Sequence, residues 1–184
     1  MNFRKGFDIA FVGLKPGIHT FEYNINDKFF EPYGEQDFSN CEAKINLTLE
    51  KNNSFMLLKF DISGKIDSFC DRCGNPISVQ LWDEFNIVVK MIEEPQVMNE
   101  QEEDPDVYYI SPTESHLHIA DWIYEFVNLS IPLQKQCGED EAGNSLCNQE
   151  VLDKLQKMQE NNETSSEDVK SVWKGLDQFR NLEN

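Results

Sequence analysis

The chain has 184 residues, 34 acidic and 16 basic, for a net charge of −18 at pH 7; 39% are hydrophobic, including 13 Phe. That length suits one domain with a sizeable core, or a domain with a tail, and the acidity argues against broad contact with a bare phosphate backbone. Met1-Asn2-Phe3-Arg4-Lys5-Gly6 has no apolar run of signal-peptide length, and no segment reaches the roughly 18 apolar residues of a membrane span, so a cytoplasmic protein is expected.

Phe7, Ile9 and Phe11 alternate as in a first strand, and Gly13, Pro16 and Gly17 punctuate a turn. His19, Phe21, Tyr23 and Ile25 alternate with polar residues and predict a second strand. Residues 31–40, with Pro32 and Gly34, read as a loop. Cys41, Ala43, Ile45, Leu47 and Leu49 give the cleanest alternation in the chain. A turn at Lys51-Asn52-Asn53 leads into a strand over 54–67, with Met56, Leu58, Phe60 and Ile62 on one face, so the pair predicts a β-hairpin. Phe55 and Leu57 on its other face predict a more buried strand. Beyond Cys70-Asp71-Arg72-Cys73-Gly74-Asn75-Pro76, alternation from Ile77 to Met91 predicts one long strand or two short ones.

Residues 93–106 hold Glu93, Glu94, Glu100, Glu102, Glu103, Asp104 and Asp106 without a base, which predicts a solvated loop. Val107–Ile110 reads as a short returning strand. Ser111 to Ser115 open a helix over 116–130 that buries Leu117, Ala120, Ile123 and Val127, turns Tyr124 and Glu125 outward, and ends at Pro132. Asn148 caps a helix to about Gln159, and residues 160–168 form a polar linker. Trp173, Leu176, Phe179 and Leu182 then stripe a last helix, which packs on its own domain or docks on a partner.

These elements predict an α+β fold. Its sheet is mainly antiparallel, with barrel-like partial closure, and one helix covers it. A helical C-terminal extension follows. The expected divisions are an α+β domain over 1–135, a Cys-containing segment with a short helix over 136–160, and a linker with the amphipathic helix over 161–184.

The five cysteines are Cys41, Cys70, Cys73, Cys137 and Cys147. An odd count without a signal peptide argues against a disulfide framework. Cys41 falls on the apolar face of a strand and reads as core. Cys70 and Cys73 supply the two-thiol turn that a tetrahedral zinc site asks of half its ligands, and Cys137 and Cys147 are candidates for the other half. The second pair is spaced C-x9-C, so two readings stand: a zinc site, or four reduced thiols packed together. A redox C-x-x-C is disfavoured because Gly74-Asn75-Pro76 leads into a strand, where redox chemistry needs a helix. His116 and His118 read as a further ligand or as a solvated helix start. No nucleophile–base set, phosphate loop or carboxylate pair stands out, so no enzyme is expected.

Taken together, several motifs resemble the YceD family, the large ribosomal RNA subunit accumulation proteins. They are Gly13-Leu14-Lys15-Pro16-Gly17 before a Phe-rich strand with Phe29-Phe30, Gly64-Lys65-Ile66 before Cys70-Asp71-Arg72-Cys73, the acidic segment, Leu129-Ser130-Ile131-Pro132-Leu133, the late Cys pair, and Trp173 with Leu176. The resemblance implies a non-enzymatic ribosome biogenesis factor needed for accumulation of large-subunit (23S) rRNA. The family's second thiol cluster is more closely spaced than Cys137 and Cys147. With the charge of this chain, the implied partner is a basic ribosomal protein or a large-subunit assembly intermediate, held by the acidic surface. Direct rRNA contact would fall to Lys59, Lys65 and above all Arg72. The alternative is a zinc-stabilised acidic interaction module unrelated to ribosomes.

Overall fold

A computed structural model describes residues 6–164; the predicted C-terminal helix carrying Trp173, Leu176, Phe179 and Leu182 lies outside them. The chain divides into two compact units, one from Met1–Phe69 and Pro76–Lys135, the other from Cys70–Asn75 and Gln136–Asn184.

The first unit is built on a five-stranded sheet in the order β2-β3-β4-β5-β6. Strands β2 (Gly17–Ile25), β3 (Ser39–Lys51), β4 (Phe55–Phe69) and β5 (Pro76–Met91) form an antiparallel meander. The short β6 (Val107–Ile110) runs parallel to β5. Period-two alternation puts Ile45, Leu47, Leu49, Met56, Leu58, Phe60, Ile62, Ile87 and Val89 on one buried face. Two residues, β1 (Asp8–Ile9), pair with β7 (Leu117–His118) in a separate ribbon.

Helix α3 (Ala120–Leu129) lies on that buried face through Ile123, Phe126 and Val127. Phe126 stacks on Phe85 at 4.4 Å and meets Phe60 edge-on at 5.1 Å. A second aromatic cluster gathers around the one-turn helix α1 (Asp27–Phe30): Phe29, Phe30 and Phe38, with Tyr33 stacked on Tyr124 at 4.1 Å.

The α+β class and the mainly antiparallel sheet are as the alternation predicts; the barrel-like closure is not found. Among the described residues β2 and β6 are edge strands that do not pair. With α3 and the aromatic cluster already covering the inner face, the sheet buries its apolar side without curling shut.

Five further expectations need correction. The first strand shrinks to two residues, because Phe11–Gly13 coil into a 3-10 turn whose ends are tied by Lys51 Nζ donating to the carbonyls of Phe11 and Leu14 at 2.8 Å each. The helix expected over 116–130 starts only at Ala120. Leu117 and His118 are spent in strand pairing with β1, and the Ile119 amide donates to the Phe7 carbonyl at 3.1 Å. Tyr124 is half-buried against Tyr33, while Glu125 is exposed as expected. The acidic 93–106 stretch holds a helix, α2 (Pro95–Gln101), with Pro95 in its first turn. Asn99 exchanges two hydrogen bonds with the Tyr109 backbone at 2.8 and 2.9 Å, and the Tyr109 hydroxyl donates to Glu102 at 2.7 Å. The outer face of β4 also differs, since Phe55 is half-buried and Leu57 exposed where more burial was expected.

Candidate metal centre

The four late cysteines all belong to the second unit. Cys70–Asn75 form a tight knuckle between β4 and β5. The Gly74 amide donates to the Cys70 carbonyl at 2.8 Å, the Cys70 amide to the Asn75 carbonyl at 2.8 Å, and Gly74 takes φ +75°, where a side chain would be strained. This turn presents Cys70 and Cys73 on one side.

The nine residues between Cys137 and Cys147 fold into a miniature hairpin. Glu139 and Ser145 form a β-bridge, the Leu146 amide donates to the Gly138 carbonyl at 3.0 Å, and the Asp140 amide to the Asn144 carbonyl at 2.9 Å. At its tip the Asp140 carboxylate accepts from the amides of Ala142 (2.9 Å) and Asn144 (2.8 Å) and from the Asn144 side-chain amide (3.0 Å). The stems of a hairpin are neighbours whatever its length. A C-x9-C spacing therefore brings two thiols together as a C-x2-C turn does. Asp140 and Asn144 are the residues the sequence reading passed over, although Asp140 followed by Gly143 three positions on is a turn signature.

All four Sγ atoms lie within 4.8 Å of one another. Cys70 and Cys147 are 3.8 Å apart, Cys73 and Cys137 3.7 Å. A tetrahedron with Zn–S bonds of about 2.3 Å has edges of about 3.8 Å. The thiols can thus hold one metal ion, and the donor set is that of a closed structural site.

Local electrostatics already favour a thiolate at Cys70. Burial raises its thiol, but amide donors from Cys137, Arg72 and Cys73 outweigh burial and bring it down to about 6. Cys73 is also lowered, chiefly by the amides of Asn148 and Asn75. Asn148 opens α4 (Gln149–Thr164), its side chain accepting from the Glu150 amide at 3.0 Å, so a helix N-terminus faces the cluster. The helix runs past the expected end at Gln159. Burial and the three neighbouring thiols push Cys137 up to about 12, so among bare thiols it stays protonated.

The remaining candidates fall elsewhere. Cys41 is buried in the first unit, its thiol raised to about 11 by burial and by nearby Asp27. His116 meets Ser115 Oγ at 2.8 Å and His118 meets Asp8 at 2.7 Å; among the described residues the metal-competent group is four cysteines without a histidine. Lys59 is paired with Asp61 (3.2 Å) and Glu84 (2.8 Å), and Lys65 with Glu42 (3.1 Å). Arg72 is exposed at the knuckle tip.

The molecule so far is an α+β sheet protein with a cluster of four thiols, from a knuckle and a distant hairpin, that could hold a metal ion. A family model described as "Large ribosomal RNA subunit accumulation protein YceD" matches residues 58–180, well over half of the chain. The chain belongs to the YceD family. The match begins within β4 and takes in all four clustered thiols; β2 and β3 precede it. No curated protein and no solved structure matches significantly. No helix among the described residues is long and apolar enough to cross a membrane.

Proposed function

We propose that this chain is a non-enzymatic, cytoplasmic ribosome biogenesis factor that promotes accumulation of 23S rRNA by holding a basic ribosomal protein or a large-subunit assembly intermediate. The family match carries the ribosomal part of the reading. The −18 net charge supports a basic protein as the thing held, because charge complementarity raises association rates and excludes like-charged partners. The pairing of Lys59 and Lys65 with carboxylates argues against a broad rRNA footprint. Arg72 is then the residue for a local phosphate contact, on a knuckle braced by one structural zinc at Cys70, Cys73, Cys137 and Cys147.

The deciding experiment is a deletion strain with sucrose-gradient ribosome profiles, combined with affinity purification from cells. The expected result is loss of free and assembled large subunits, with a basic large-subunit protein co-purifying. Normal profiles would leave the alternative, a zinc-stabilised acidic module unrelated to ribosomes. Recovery of naked rRNA without a basic protein would overturn the proposed mode of action. An Arg72→Glu variant is expected to weaken any rRNA association while leaving the protein partner bound.

A further inference from the structure

One face of the five-stranded sheet packs on α3; the other is largely open. On the open face the strand register lines up Ile18, Glu50, Leu57, Val88 and Val107 as one row crossing all five strands. Ile18 is 69% exposed and Leu57 38%, Val88 and Val107 are half-buried, and Glu50 stands between Ile18 and Leu57, so four of the five residues form an apolar stripe with one carboxylate in it. The middle of the row, Glu50, Leu57 and Val88, lines a depression of about 400 Å³ together with Thr48, Lys59 and Asn86. The one cation of that lining, Lys59, is neutralised by Asp61 and Glu84.

The stripe runs into the acidic segment. The Val88 amide donates to the Asp106 carbonyl at 2.7 Å, and the bonds between Asn99 and Tyr109 fix α2 beside β6. Tyr109 pairs with Lys90 in register and so belongs to this same open face. Glu100, Glu103, Asp104 and Asp106 are exposed there, and residues 93–106 contain no base. An apolar stripe ending in a bank of carboxylates is complementary to one kind of ligand: a segment with apolar side chains on one side and lysines or arginines on the other. A nucleic acid would bring phosphate to the carboxylates and find Lys59, the one lysine of the depression, already paired.

We infer that the open sheet face, with Leu57 and Val88 at its centre and Glu100 to Asp106 at its end, is the docking surface for an amphipathic, Lys/Arg-rich protein segment. The inference rests on the reading of a basic partner above and adds the place where that partner is held. The stripe supplies burial, and the carboxylates supply orientation and rate.

The test uses the full-length protein, isotope-labelled for NMR. Probes are a synthetic 18-residue Leu/Lys amphipathic peptide, a scrambled peptide of the same composition, and a 12-nucleotide oligo-U. The amphipathic peptide is expected to shift amides of Thr48, Leu57, Lys59, Val88 and 100–106, and to bind at least tenfold tighter than the scrambled one. Leu57→Ser with Val88→Thr should cost at least tenfold in peptide affinity with an unchanged spectrum elsewhere. Glu100→Gln with Glu103→Gln should weaken binding and flatten its salt dependence. Shifts mapping elsewhere, equal binding of the scrambled peptide, or oligo-U shifting the same amides would each overturn the inference. A pull-down of total large-subunit protein separates it from the broader proposal. If wild type and the Leu57/Val88 variant retain the same basic protein equally, the surface is wrong and the function stands. If wild type retains none while the peptide still binds the stripe, the function is wrong and the surface stands.

Discussion

At the scale of single residues, two positions fix local geometry, one through its backbone and one through its side chain. Gly64 on β4 has φ +146°, and a Cβ there would meet the Glu42 carbonyl oxygen at 2.1 Å and Ala43 Cα at 2.7 Å. Both are backbone atoms of the neighbouring strand, beside the register shift between Ser39 and Glu42, so neither can swing aside. Gly64→Ala is expected to destabilise the protein by about 3 kcal/mol, from strain and overpacking together, read by chemical denaturation; a loss under ~1 kcal/mol would mean that the strands separate freely there. Asp140 is the second position. The amide and then the side chain of Asn144 hold its carboxyl below the usual aspartate range. A depressed acid stabilises the fold fully above its unfolded pKa of about 3.9, and that contribution is lost as pH falls through the lower folded value. The Asn144 amide shift should therefore titrate with a midpoint below about 3.9. A midpoint at or above that value would contradict the hydrogen bonds at the tip. Asp140→Ala should loosen the hairpin and weaken metal binding by roughly tenfold, the scale of a lost supporting contact around a metal site.

At the scale of elements, the acidic segment shows why local pattern falls short. Residues 95–101 have no strong apolar period and a charged surround, so sequence alone reads them as loop. What orders α2 is Asn99, whose side chain imitates a strand partner for Tyr109, and Glu102, which receives the Tyr109 hydroxyl. Asn99→Ala is expected to speed hydrogen exchange across 95–101 at least tenfold, the loss of two hydrogen bonds worth about 1 kcal/mol each, while β3–β5 stay protected. Unchanged exchange in α2 would show that the tie does not hold it. The same contrast runs through the rest of the fold. The alternation of Cys41–Leu49 and Met56–Ile62 makes the hairpin legible, because a half-buried strand must repeat every two residues. The start of α3 was illegible, since Leu117 and His118 follow a helical spacing yet are claimed by Asp8 and Ile9, more than a hundred residues away. The candidate metal site was legible in its four residues and illegible in its mechanism. The C-x9-C spacing alone announces no hairpin; Asp140 with Gly143 signals the turn and Asn144 closes it.

At the scale of the whole molecule, the two units differ in how much core they bury. The first buries a continuous core from Ile9 to Val127 along long strands. The second, among its described residues, buries only Cys70 and Cys147 among apolar side chains. Its thiol contacts join positions 77 and 64 residues apart in the chain, each a long loop to close. So small a core does not offset that ordering entropy, and units of this kind are normally stapled by a metal or disulfides. Four free thiols at tetrahedral-edge distances could take a metal ion, whose coupled binding is worth on the order of 10–16 kcal/mol in small zinc domains. Protein purified without chelator should carry one zinc per chain. Adding a strong chelator should release it and abolish exchange protection at 136–147, while β3–β5 amides keep theirs. Acid should do the same as protons compete for the thiolates, whereas Cys41→Ser should leave zinc content untouched. A stoichiometry near zero, with 136–147 protected all the same, would show that this unit is held by packing alone and that its four thiols have no metal to serve.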